Sequence, residues 1–210
     1  MGASTSGKRR ILLVDDDRST LALLTQILLQ AGHEVEQASC GEAALSIALQ
    51  HAPDLALLDV NMPGMSGVEL ARRLRAETGV PFMFLSADGD LGVVREATAH
   101  GAVGYQLKPV DPVRIVAAVQ VALTQADEMR RLRQAEAAMA AALACEREIS
   151  VAVGLLMARF QADRGTAFEV LREHARSSRR KMSDVAKDLL LAEKTFNAFA
   201  SLFAARSISK

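Results

Sequence analysis

The stretch Ile11-Leu-Leu-Val-Asp-Asp-Asp17 decides how this chain folds. Four apolar residues in succession, with no polar alternation, suit a strand buried on both faces, and the run stops on three carboxylates. The period then changes. Over residues 19–31, Leu21, Leu24, Ile27 and Leu28 share one helical face, and Gly32 closes the helix.

The same alternation recurs downstream. Strands are expected at 33–38, 55–58 (ending at Asp59), 81–85 and 103–107. Helices are expected at 41–51, 68–77, 91–100 and from Pro112 onward, the first of these with Ala44, Leu45, Ala48 and Leu49 inward. Five strands each followed by a helix imply an α/β fold with a doubly wound, five-stranded parallel sheet and right-handed crossovers. Ligands of such sheets bind beyond the carboxyl ends of the strands. Asp15, Asp16, Asp59, Ser86 and Lys108 all fall at those ends.

After Val121 the pattern lengthens. Leu132, Ala135, Met139, Ala142, Glu146, Ile149, Val153 and Leu156 follow at alternating steps of three and four, with no Gly or Pro between Val113 and Val153. This predicts one long helix with a weak, alanine-rich coiled-coil seam, reaching about Phe160. Two more helices complete a small three-helix domain. Thr166-Ala-Phe-Glu169 is expected to open the second as a capping box, with Phe168, Leu171 and Ala175 inward. Ser183 is expected to cap the third, with Val185, Ala186, Leu189, Leu190, Phe196 and Phe199 inward.

Composition narrows the function. Cys40 and Cys145 lie far apart and the four histidines are scattered, which argues against a disulfide framework or a His-rich metal site. No apolar run approaches the roughly 20 residues of a membrane span. Residues 1–8 are small and polar and lack a secretory pattern, so a disordered tail and a cytoplasmic protein are expected. The zero net charge hides an asymmetry: residues 1–123 carry a balance of −4 and residues 150–210 a balance of +5. An acidic front and a basic rear suggest two modules with different partners. The expected division is an α/β domain at 9–124, a helical linker at 125–149 and a small three-helix domain at 150–210.

Carboxylates gathered in one crevice need a compensating cation, because like charges about 4 Å apart repel by roughly 4 kcal/mol at an effective dielectric near 20. Carboxylates with a backbone carbonyl and waters suit a hard ion such as Mg²⁺. Lys108 adds a fixed positive charge, and the Ser86 hydroxyl can donate to an added oxyanion. Such a set stabilises a transferring phosphoryl group, with Asp59 as nucleophile. The bland alternative is that these acids are helix caps and solvated loop residues, but all of them at successive strand ends is too specific for that.

Over residues 9–124 the chain resembles the response-regulator receiver family, in Ile11-Leu-Leu-Val-Asp-Asp-Asp17, Leu57-Leu-Asp-Val-Asn-Met-Pro-Gly-Met-Ser-Gly67, Phe84-Leu-Ser-Ala87 and Lys108-Pro109. The resemblance implies a flavodoxin-like fold, phosphorylation of Asp59 by a sensor histidine kinase, and Mg²⁺ held by Asp15, Asp16, Asp59 and the Asn61 carbonyl. It also implies Ser86 and Tyr105 as the switch pair, a cis peptide before Pro109, and no enzymatic activity beyond self-phosphotransfer and autodephosphorylation at Asp59. Without it, Tyr105 reads as a buried core residue.

In the rear, Arg172, Arg176, Arg179, Arg180, Lys181 and Lys187 suit a phosphate backbone. A solvated helical face is the bland alternative. No aromatic residue interleaves this cluster, so a stacking platform for single strands is not expected. Residues 145–200 resemble the ANTAR domain of transcription antitermination regulators, in Gly154-Leu-Leu-Met157, Ala167-Phe168, Leu171-Arg172, Ala175 and Arg180-Lys-Met-Ser-Asp-Val-Ala186. That resemblance implies binding to RNA stem-loops in nascent transcripts by a homodimer joined through the linker. A DNA-binding helix-turn-helix and a purely dimerising or docking tail remain as alternatives.

Overall fold

In a computed structural model, residues 8–87 and 101–207 are described, residues 200–207 by their backbone alone. The helix expected at 91–100 and residues 1–7 of the expected tail (1–8) lie outside the described residues; Lys8 is described and pairs with Glu34 at 3.0 Å. Two compact units divide between Arg131 and Leu132.

The first unit is built as the strand and helix periods dictate. The strands are β1 (Arg10–Val14), β2 (Glu34–Ala38), β3 (Leu55–Asp59), β4 (Phe82–Ser86) and β5 (Gly104–Leu107). They form one parallel sheet in the order β2-β1-β3-β4-β5. The helices are α1 (Arg18–Gln30), α2 (Gly41–His51), α3 (Gly67–Glu77) and the first part of α4 (Pro112–Phe160).

Because side chains alternate along a strand, each apolar run feeds both faces of the sheet. Leu12, Val14, Ala56, Leu58, Phe82 and Phe84 pack under α2 and α3. Ile11, Leu13, Leu55, Leu57, Met83 and Leu85 pack under α1 and the start of α4. The central strands β1, β3 and β4 therefore carry continuous apolar runs, whereas the edge strands β2 and β5 include polar, partly exposed residues. Leu49, expected inward on α2, is instead exposed. It lies one position past the buried stripe of Ala44, Leu45 and Ala48. The lower end of the sheet is tied by Arg9, whose guanidinium donates to Asp54 at 3.3 Å and to Asp127 of α4 at 2.5 Å.

The second unit contains the rest of α4 with α5 (Arg164–Ser177) and α6 (Met182–Ser207). Its buried core is small-sided: Ala152, Val153, Ala167, Leu171, Ala175, Val185 and Ala186. Five expectations fail here. Asp163, not Thr166, caps α5: its carboxylate accepts from the backbone of Gly165 and Thr166, and the Thr166 hydroxyl donates back to it at 2.6 Å. A carboxylate reaching two free N–H groups outcompetes a hydroxyl for the cap. Ser183 lies inside the first turn of α6, where the Lys181 carbonyl already accepts from the backbone of Asp184 and Val185. Phe168, Phe196 and Phe199 are exposed, because the core is filled by the small face of Ala167, Leu171 and Ala175 and by the first turns of α6.

Finally, the seam divides. Val153 is buried in the three-helix core and Ile149 and Leu156 pack against it, whereas every residue from 128 to 144 is exposed. Only the front half of the expected stripe is left without intramolecular cover. Among the described residues, no helix is long and apolar enough to cross a membrane.

Candidate functional site

Adjacent parallel strands end at one edge, so the pairing of β1 with β3 brings their terminal acids together. Val14 is in register with Leu58, which sets Asp15 beside Asp59 one step further on. Asp15 is fully buried, Asp59 is 4% exposed and Asp16 is exposed. One carboxylate oxygen from each of the three lies within 4.8 Å of the others. Lys108 enters from the end of β5, where its backbone N–H donates to the Ser86 carbonyl at 2.7 Å. Its ammonium donates to Asp15 Oδ2 at 2.7 Å and to Asp59 Oδ1 at 2.6 Å. The Lys108–Pro109 peptide is cis.

The charges are unevenly answered. Burial pushes the Asp59 carboxyl above its ordinary range, against the pull of the Lys108 ammonium, and the neighbouring Asp15 charge adds to the rise. Burial works against the charge on Lys108 as well, but its hydrogen bonds to Asp15 and Asp59 outweigh this and hold its pKa above the usual value. Three carboxylates meet one ammonium, and Asp16 has no cationic partner among the described residues. An all-oxygen donor set left with excess negative charge fits a hard divalent cation of the Mg²⁺ kind. The remaining donors are backbone: the Asn61 N–H donates to Asp59 Oδ2 at 3.1 Å and the Asp17 N–H to Asp15 Oδ1 at 3.0 Å.

Two residues that shape the site were not singled out from sequence. Asp17 is the N-cap of α1, accepting from the backbone of Ser19 and Thr20. The signal was present as an Asp before a Ser-Thr helix start. Gly67 opens α3 directly against the end of β3: its N–H donates to the Val60 carbonyl at 3.0 Å, and a Cβ built on it would stand 1.9 Å from the Asp59 carbonyl oxygen. Only a residue without a side chain allows that approach.

Ser86 is buried at the end of β4, between the end of β3 and Leu107 of β5, with which it is in register. Tyr105, in register with Phe84, is 45% exposed and so is not a buried core tyrosine.

The rear candidates do not form one equivalent set. Arg172 pairs with Glu169 at 2.9 Å, Arg180 with Asp188 at 2.7 Å, and Lys187 approaches Glu148 at 3.7 Å. Arg176, Arg179 and Lys181 are exposed and have no acidic partner among the described residues. All three lie on the last turn of α5 or the turn after it.

Both units have counterparts among known proteins. The response regulator receiver domain matches residues 11–120, and the ANTAR domain matches residues 137–190. The DNA-binding response regulator MtrA of Mycobacterium tuberculosis is 39% identical over 121 residues, covering 58% of this chain and 53% of that protein. The chain thus spans about half the length of these DNA-binding relatives. The transcriptional regulatory protein PdtaR of Mycobacterium tuberculosis is 28% identical over 189 residues, 90% of this chain and 92% of that one. Among solved structures, the chemotaxis protein CheY4 of Vibrio cholerae superposes with a TM-score of 0.53 and 32% identity, over 54% of this chain and 98% of that chain. A CheY-like receiver domain protein from Methanospirillum hungatei gives a TM-score of 0.55 and 29% identity, over 59% of this chain and 99% of that chain. With its sheet order, its acidic edge and these matches, the chain belongs to the response regulator receiver family and carries an ANTAR domain behind the receiver.

Proposed function

We propose that this protein is a phosphorylation-controlled response regulator of the antiterminator type, acting in the cytoplasm on RNA stem-loops of nascent transcripts. The observation that carries the first half is Lys108 bridging Asp15 and Asp59 beside an uncompensated Asp16. The Asp59 carboxylate attacks the phosphorus of a phosphohistidine on a sensor kinase, forming an O–P bond as the N–P bond breaks. Lys108 and the Ser86 hydroxyl then hold the new phosphoryl oxygens. Asp15, Asp16, Asp59 and the Asn61 carbonyl would hold Mg²⁺, which when bound supplies positive charge against the equatorial phosphoryl oxygens. Phosphorylation adds roughly −1.5 to −2 charge. Ser86 moves to meet it, and Tyr105 turns from its exposed position into the space released. The face made by β5 and the start of α4 changes as a result.

The output follows from the order of domains and from PdtaR, which matches along most of this chain. In functional terms we divide the chain into a receiver (9–124), a linker (125–149) and an RNA-binding domain (150–210). The uncovered run 128–144, with Leu132, Met139 and Leu143 exposed, supports a homodimer through the linker. Two RNA-binding domains on one dimer engage two hairpins, so a modest change in self-association alters affinity strongly.

A gel-shift titration against a two-hairpin RNA and a matched DNA duplex, with and without beryllofluoride at fixed salt, tests this function. Tighter RNA binding with the phosphoryl mimic, and weak DNA binding, is expected. Preference for the duplex DNA would instead assign a helix-turn-helix output. Binding to neither would leave a dimerising or docking tail.

A further inference from the structure

Between the end of α4, the outer part of α5 and the start of α6 lies a cavity of about 490 Å³. Leu171 and Val185 line it from the core; Phe160, His174, Arg180 and Asp188 line it from exposed positions. Its volume and its mixture of apolar lining with a few polar groups are those of a small-ligand site. Phe160 is 71% exposed, so one wall is an aromatic ring with most of its surface uncovered.

In the sequence no aromatic accompanies the basic cluster. The fold changes this, because Phe160 and Arg180, 20 positions apart, line the same cavity. The backbone singles out the same place. The N–H of Arg180 donates to the Ala175 carbonyl and that of Arg179 to the Arg176 carbonyl, which is the Schellman closure of α5. That closure needs a left-handed residue, and Arg179 supplies it at φ +54° where glycine is the ordinary choice. A long cation is kept at a position that disfavours it, next to a residue that lines the cavity.

We propose, building on the RNA-binding function above, that this cavity receives an unstacked nucleobase from the single-stranded loop of an RNA hairpin. Phe160 is its stacking surface. His174 and the Arg180–Asp188 pair offer donors and an acceptor to the base edge. Arg176, Arg179 and Lys181, which lack acidic partners among the described residues, hold the neighbouring phosphates. Three considerations select this occupant. The excess charge of residues 150–210 is positive, which favours a polyanion over a second copy of the same basic surface. Helices do not enter the narrow major groove of duplex RNA, so sequence is read from splayed loop bases. Bases also stack readily on aromatic rings and guanidinium planes.

The test uses the full chain with Mg²⁺ and beryllofluoride. Binders are enriched from a pool of RNA hairpins that share one stem and carry a randomised loop, and are compared with a blunt duplex of the same stem. Phe160→Ala is expected to weaken the enriched hairpin on the order of tenfold and leave the duplex unchanged. Arg176→Gln with Arg179→Gln should weaken both. Because Phe160 is exposed, its loss should not unfold the domain, and circular dichroism checks this. Independently of any variant, 4-thiouridine placed in the loop should crosslink to the peptide carrying Phe160 or His174. Unchanged hairpin affinity in Phe160→Ala, or crosslinks confined to other peptides, overturns the cavity while leaving RNA binding intact. Failure of the unaltered protein to bind any hairpin defeats the RNA function itself, and the cavity with it. If sedimentation shows that Phe160→Ala weakens self-association instead, the wall belongs to an interface between copies and the proposal falls.

Discussion

The acidic edge of the receiver and the basic turn between α5 and α6 solve opposite problems. At the edge, charge is buried and closely paired: Asp15 and Asp59 are almost completely removed from water and share one ammonium. At the turn, charge is exposed, and half of the candidate cations have no partner among the described residues. Their foundations differ too. The edge rests on two layers of Leu, Ile, Phe and Met on either side of a sheet. The turn rests on a core dominated by Ala and Val. Desolvated charge has to be held by a stiff frame, since each ion costs several kcal/mol to bury. Exposed cations need only a surface that presents them.

The sharpest way to break this contrast is through the smaller core. Leu171 is the one large side chain among the buried residues of that core, so Leu171→Ala should cost about 2–5 kcal/mol and unfold the rear unit while the receiver keeps its own transition. Calorimetry should resolve two transitions that move apart. A single cooperative loss of both would show that the units share one stability.

Gly67→Ala attacks the other side. Its methyl would meet the Asp59 carbonyl oxygen, and a backbone cannot yield cheaply, so about 1–3 kcal/mol of receiver stability is expected to go. Phosphoryl uptake from a small-molecule donor should fall with it while RNA binding without the mimic stays unchanged. Normal uptake would mean that β3 has more freedom than its burial suggests.

Asp59→Asn should have the reverse sign. Burial raises the Asp59 pKa above its ordinary 3.8, so the folded state prefers the proton. Its contribution to stability is complete below the unfolded value and is lost as pH rises through the folded value. At neutral pH the buried charge is therefore a cost, and removing it should raise the melting temperature and flatten the pH dependence above pH 3.8. Without Mg²⁺ the variant should be the more stable protein; a melting temperature below that of the unaltered chain would sink this account.

Smallest is Arg179→Gly. Relief of the left-handed strain should leave the rear unit unchanged or more stable by up to about 1 kcal/mol, while RNA affinity declines. If affinity is retained, that arginine contacts nothing.

Much of this was legible in the chain, for reasons particular to each part. The strands could be read because a doubly covered sheet demands continuous apolar runs, as at Ile11–Val14 and Leu55–Leu58. The acids could be read because such runs end abruptly on them. Helix starts in the rear were misplaced because Asp163, Thr166 and Ser183 are all competent caps, and only the geometry of free N–H groups selects among them. Phe168, Phe196 and Phe199 were misassigned to the core because hydrophobicity ranks Phe above Ala, whereas close helix packing here favours Ala.

The sequence by itself determined what depends on local period and chain order: the alternation of strands and helices, the place of the carboxylates at strand ends, and the basic excess of the rear. Tertiary structure alone decided what depends on through-space approach. It joined Lys108 to Asp15 and Asp59 across 93 and 49 positions, pressed Gly67 against the Asp59 backbone, divided the helical seam between a core and an uncovered face, and brought Phe160 to Arg180. A chain records which side chains it carries, but which of them meet depends on how far its elements turn before they pack.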